Sequence, residues 1–237
     1  IARVEDFGDF EGTPFLAMEY IQGWNLKEMQ QRAARIGRLL PPKLVLSVIA
    51  EVARSLDYAH RAVGLDGQPL RIVHRDVSPH NIMVTPSGRT KLLDFGIARS
   101  EIQKTKTEAG QIKGKIRYLS PEQITGKPLD GRSDQFTLAT VLAGCMLGEP
   151  LFSGSDQFSV MQSIVRVTLP DLDPNGVWPK PLKTVILKAL CKAPSGRFES
   201  CAEFAEAIDQ ILDRHGGPPK STEIHHWLSE LAATTSQ

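Results

Sequence analysis

Little in this 237-residue chain lies at an extreme, and each shortage removes a class of explanation. Cysteine is scarce: Cys145, Cys191 and Cys201 are odd in number and fit no metal-ligand spacing, so a reduced, cytoplasmic setting is the expectation. Charge of one sign is missing as well, because 28 Lys and Arg against 27 Asp and Glu leave a formal net charge of +1. That balance provides no large basic field, and nucleic acid is not expected as a partner. Long apolar runs are also missing. The longest largely apolar stretch, Phe136 to Leu147, is too short to cross a bilayer, and no signal-peptide pattern is present, so no membrane contact is expected from this segment. No internal repeat or low-complexity tract occurs. What remains, 41% hydrophobic and 23% charged, is an ordinary globular composition with enough apolar residues for one sizeable core.

Periodicity then supplies mostly helices. After Pro41-Pro42, residues Leu44, Val45, Val48, Ile49, Val52, Leu56 and Ala59 follow helical spacing, and prolines at a helix start remove only N–H groups that are unpaired there anyway. Further helices are expected at Gln135 to Leu147, Gln157 to Val167, Leu182 to Cys191 and Cys201 to Arg214, with Pro170, Pro174, Pro179 and Pro181 marking the loop between the middle pair. A last short helix is expected over Thr222 to Ala233, with Ile224, Trp227, Leu228 and Leu231 on one face. Adjacent His225 and His226 point in different directions on such a helix, which argues against a metal site.

Two polar motifs stand out against this background. His74-Arg75-Asp76-Val77-Ser78-Pro79-His80-Asn81 fits the pattern H-R-D-x-x-x-x-N, and Asp94-Phe95-Gly96 begins thirteen residues after Asn81. Between them, Ile82-Met83-Val84 and Lys91-Leu92-Leu93 flank Thr85-Pro86-Ser87-Gly88, a hairpin with turn chemistry at its tip. Phosphoryl transfer leaves a protein little covalent work, so it needs residues that position the reactants and hold hard cations through oxygen. Two aspartates and an asparagine on one side of a small sheet meet that need.

With these motifs the chain resembles the eukaryotic-like protein kinases, and most of all their bacterial serine/threonine branch, from about Ile1 to about Arg214. Ser120-Pro121-Glu122 stands where the family has A-P-E, twenty-eight residues past Asp94. Asp134 matches the aspartate that opens a buried central helix and braces the catalytic loop, and Arg197 matches the arginine that pairs with the A-P-E glutamate. The resemblance implies an α+β fold with a mainly helical C-terminal lobe and a remnant of the small β lobe. Residues 1–22 would be the end of the N-lobe and the hinge, 23–214 the C-lobe, and 215–237 a tail with a short helix. It further implies ATP and Mg2+, with Asn81 and Asp94 as metal ligands and Asp76 as the base that orients the acceptor hydroxyl of a protein substrate. Met18 would be the gatekeeper, Glu19 and Ile21 would face adenine through their backbones, Asn25 would lie near the ribose and Met83 would form the adenine floor. Val4 would pack as a spine residue towards Phe95 and His74. Arg75 would receive a phosphate on the activation segment, for which Thr105 and Thr107 are the candidates.

The departures from the family are equally specific. No G-x-G-x-x-G loop, strand lysine or paired helix glutamate precedes Met18, so the chain is expected to be a fragment of a longer protein, with little catalysis alone. Where the family has a lysine two residues after the catalytic aspartate, this chain has Ser78. Where it has threonine in a G-T motif before A-P-E, this chain has Gly114-Lys115, and the expectation is that Lys115 supplies the lost charge from the opposite loop. The function expected is that of a serine/threonine protein kinase, with a pseudokinase or docking module as the alternative. A small-molecule phosphotransferase is disfavoured by Ser120-Pro121-Glu122 and Arg197. A homodimer formed through a full-length parent is compatible with these features.

Overall fold

The computed structural model describes residues 1–94, 115–173, 176 and 178–233. It opens with two antiparallel strands, β1 (Val4–Phe10) and β2 (Thr13–Met18). Their two-residue turn holds positive φ at both Glu11 (52°) and Gly12 (79°), the backbone twist that suits a tight hairpin. This hairpin buries little: Phe7 is 79% exposed and Phe10 68%. Val4 is 50% exposed, and Phe95, towards which it was expected to pack, lies outside the described residues.

A second antiparallel sheet has the order β3 (Trp24–Asn25), β4 (Ile82–Val84), β5 (Thr90–Leu92). The expected hairpin between the two motifs is therefore present, its second strand starting one residue earlier. Register pairs Asn25 with Met83, and Met83 in turn with Lys91.

The rest is helical. Helix α1 (Leu26–Arg35) was not anticipated, although its signal is in the sequence: Asn25 Oδ1 accepts from Glu28 N at 2.9 Å while the Glu28 carboxylate accepts from Asn25 N at 3.1 Å, a reciprocal cap. Then come α2 (Pro42–His60), α3 (Pro121–Ile124), α4 (Gly131–Leu147), α5 (Gln157–Arg166), α6 (Lys180–Ala189), α7 (Cys201–Arg214) and α8 (Ser221–Ala233). All seven periodic residues of α2 are buried, and α7 lays Phe204, Ile208 and Ile211 along it. Helix α4 is buried continuously from Ser133 to Met146, as befits the centre of a lobe. It begins four residues before the expected Gln135 because Asp130 caps it, accepting from Arg132 N at 2.9 Å. It stops at Gly148, whose φ of 80° turns the chain left-handed. The arrangement is the expected α+β class, with helices dominating and small antiparallel sheets at one end. Among the described residues no helix is long and apolar enough to cross a membrane.

Candidate active site

The catalytic loop has no sheet ladder to satisfy its backbone, and α4 supplies the missing acceptors. Asp134, 1% exposed in the first turn of α4, accepts from His74 N at 2.8 Å through Oδ2 and from Arg75 N at 2.9 Å through Oδ1. His60 Nε2, from the end of α2, also lies 2.8 Å from Oδ2. This grip coincides with Arg75 standing at a φ of 65°, a conformation that a non-glycine residue keeps only when its surroundings enforce it. The buried His74 ring ties the loop to the second motif: Nδ1 accepts from Asp76 N at 3.3 Å, so the proton sits on Nε2, which donates to Leu93 O at 2.8 Å. Leu93 N donates in turn to Asn81 O at 2.8 Å, and Asp94, exposed and at a φ of 51°, follows directly.

On the opposite side of the loop the side chains converge. Asp76 Oδ2 accepts from Asn81 Nδ2 at 3.1 Å and from Lys115 Nζ at 2.9 Å. Asn81 Nδ2 also donates to Asp76 O at 2.8 Å. Both partners of the Asn81 amide are oxygens, which fixes Nδ2 inward and leaves Oδ1 as the outward group. Asn81 Oδ1 and the Asp94 carboxylate are hard donors of the type Mg2+ prefers, and a magnesium site beside substrate phosphates needs only one or two protein ligands. The donor set therefore fits the metal that the resemblance implies. Ser78, at the position of the family lysine, is 1% exposed, and its Oγ has no hydrogen-bond partner among the described residues.

The segment after Lys115 is fastened to the helical core. Ser120 caps α3, and Glu122 forms a bidentate pair with Arg197, at 2.6 and 3.0 Å, with both side chains almost wholly buried. Ser133 Oγ donates to Glu122 at 2.7 Å, and Arg197 also donates to the carbonyls of Cys191, Lys192 and Arg132. Burial by itself would raise the Glu122 pKa. The hydrogen bonds from Arg197 and Ser133, with the Arg197 charge, outweigh burial and hold it below the ordinary value.

Met18, Glu19 and Ile21 are half-buried where β2 leaves the hairpin. Glu19 has a further role that its position in the sequence did not reveal: its Oε1 accepts from Lys91 Nζ at 2.7 Å and from Arg3 N at 2.8 Å, and Glu19 N donates to Arg3 O. Lys91 lies in β5, so this contact joins the segment after β2 to the strand that leads into Asp94; a pair 72 positions apart leaves no local signal. Asn25 and Met83 are brought together as strand partners, but Asn25 Oδ1 is engaged by the α1 cap. Arg75 is exposed, and its carbonyl accepts from Gln123 Nε2 at 2.8 Å. Thr105 and Thr107 lie outside the described residues, as do Phe95 and Gly96.

A family model described as the protein kinase domain matches residues 1–211. The chain is 34% identical over 216 residues to tyrosine-protein kinase MasK of Myxococcus xanthus, covering 91% of this chain and 33% of that protein. It is 33% identical over 230 residues to serine/threonine-protein kinase PknB of Mycobacterium leprae, covering 94% of this chain and 35% of that one. The chain thus spans about a third of the length of these curated relatives. Its fold is similar to the crystal structure of the Mycobacterium tuberculosis PknI kinase domain, with a TM-score of 0.64 and 33% identity over 87% of this chain and 69% of that one. By sequence and fold the chain belongs to the protein kinase domain family.

Proposed function

We propose that this chain carries the hinge and C-lobe of a serine/threonine protein kinase that moves the γ-phosphoryl group of ATP to a protein hydroxyl. The observation that carries the proposal is the Asp76 carboxylate, held between Asn81 Nδ2 and Lys115 Nζ and braced from behind by Asp134. Asp76 orients the acceptor hydroxyl and takes its proton as the oxygen–phosphorus bond forms. Magnesium bound at Asn81 Oδ1 and Asp94 would supply positive charge against the phosphates. Lys115 adds a cation beside Asp76 from the far end of the activation segment, where Ser78 provides none. Met18, Glu19, Ile21, Asn25 and Met83 form the adenosine side of the cleft in this reading, with Asn25 and Met83 adjacent by strand register. Arg75 is the receiver for a phosphate on Thr105 or Thr107. We place the segment in the cytoplasm, in keeping with three unpaired cysteines and with ATP as substrate.

The test is transfer of labelled γ-phosphate by the full-length protein to a generic protein substrate, followed by phosphoamino-acid analysis. Label on serine and threonine, abolished in Asp76→Asn, is expected. Label on tyrosine would overturn the acceptor class, and undiminished label with Asp76→Asn would overturn the site. Mass spectrometry of the active protein should find phosphate on Thr105 or Thr107; neither bearing it would remove the role given to Arg75.

A further inference from the structure

One cavity shares none of its lining residues with the Asp76 site. It measures about 780 Å3 and lies where the start of α2, the end of α7 and one face of α8 meet. Its walls are hydrocarbon and indole, with Leu40, Leu44, Ile211, Leu212, Trp178 and Trp227 among them. Water in such a space finds few polar partners, and a volume within roughly 300–1,000 Å3 is that of a small-molecule site. The occupant it suits has an apolar body.

The rim sets the headgroup. Glu223 is occupied, accepting from Lys220 N at 2.7 Å, and His226 stands 3.4 Å from Glu230. His215 donates through Nδ1 to Ile211 O at 2.7 Å. Lys43, exposed in the first turn of α2, has no ion-pair partner among the described residues. Its ammonium stands at the Gly216-Gly217 turn, 3.3 Å from where a Cβ on Gly216 would lie. One cation and no lining arginine suit a monoanionic carboxylate; a phosphate dianion is better served by a guanidinium fork.

We propose that this cleft binds a free alkyl carboxylate of medium chain length, its hydrocarbon against Trp178 and Trp227 and its carboxylate at Lys43. The proposal does not depend on the kinase reading. Titrating the protein with monomeric dodecanoate, followed by calorimetry and tryptophan fluorescence, tests it. Saturable one-to-one binding with a change in indole emission is expected. Dodecanol should bind about tenfold more weakly, and Lys43→Gln should weaken dodecanoate by a similar factor, about 1.4 kcal/mol. Lys43 is exposed, so the variant should melt as the parent does. Absence of saturation would overturn the proposal. So would equal affinity for dodecanol, equal affinity in Lys43→Gln, or association only with phosphatidylglycerol vesicles and not with the free acid.

Discussion

The two sides of the catalytic loop are built to different standards. On the braced side, Asp134 answers two backbone N–H groups and Glu122 meets Arg197 through paired bonds, with the three side chains buried. On the reacting side, the Lys115–Asp76 pair is partly open to solvent, Asp94 is exposed, and the buried Ser78 hydroxyl has no partner among the described residues. Buried polar networks are stable only when fully satisfied, because each orphaned group costs about 1–3 kcal/mol. The contrast shows where rigidity resides: one side fixes the backbone, and the other leaves polar side chains partly open to solvent.

Breaking the braced side should cost most. Arg197→Ala leaves Glu122 buried without its partner, which costs about 3–5 kcal/mol and lowers the melting temperature by roughly 10 °C. The pH dependence gives the sign. Glu122 has a lowered folded pKa, so its pairing stabilises the fold above the ordinary value of 4.5 and loses that contribution as pH falls through the folded value. In Arg197→Ala, burial acts without the arginine and the pKa rises instead. The stability gap between parent and variant should therefore begin to narrow above pH 4.5, as the variant's raised carboxyl takes up its proton, and go on narrowing below 4.5 as the parent loses its pairing; denaturant melts showing a constant gap from pH 7 to pH 4 would contradict the pairing.

The reacting side should behave in the opposite way. Asp76→Asn is expected to slow phosphoryl transfer by about 10²–10⁴-fold while leaving the melting temperature within a few degrees of the parent. A large loss of stability would place Asp76 with the brace. Lys115→Met comes next, with roughly tenfold to a hundredfold slower turnover in the full-length protein, against little change for Lys113→Met. If the charge has moved from position 78 to position 115, Ser78→Lys should restore part of the activity lost in Lys115→Met. Equal, small effects at 113 and 115 would make Lys115 an ordinary solvated lysine.

How much could be read beforehand follows from the range of each signal. Helix α2 announced itself because seven apolar residues repeat on one face, and the hairpin between the motifs because turn chemistry separates two apolar runs. The nearness of Lys115 to Asp76 is legible from a motif position alone. Helix α1 is signalled only by Asn25 and Glu28, spaced as a capping box, with no long apolar stripe to announce it. The Glu19–Lys91 contact and the cleft lined by Trp178 and Trp227 join residues far apart in the chain, and no periodicity encodes them.

The smallest expected effect separates two meanings of the orphaned Ser78 hydroxyl. If Oγ is only a leftover of the lysine-to-serine departure, Ser78→Ala removes an unpaid desolvation cost and should leave stability unchanged or raise it by up to about 1 kcal/mol, with turnover intact. If Oγ instead meets a group of the bound reactants, the same variant should keep its stability and lose turnover several-fold, because the hydroxyl's partner would exist only in the loaded site. The position is buried and isosteric replacement creates no cavity, so a change in rate there cannot be blamed on misfolding. The Lys115 ammonium, 2.9 Å from Asp76 Oδ2, favours the first outcome, because a cation already stands beside that carboxylate without any contribution from position 78.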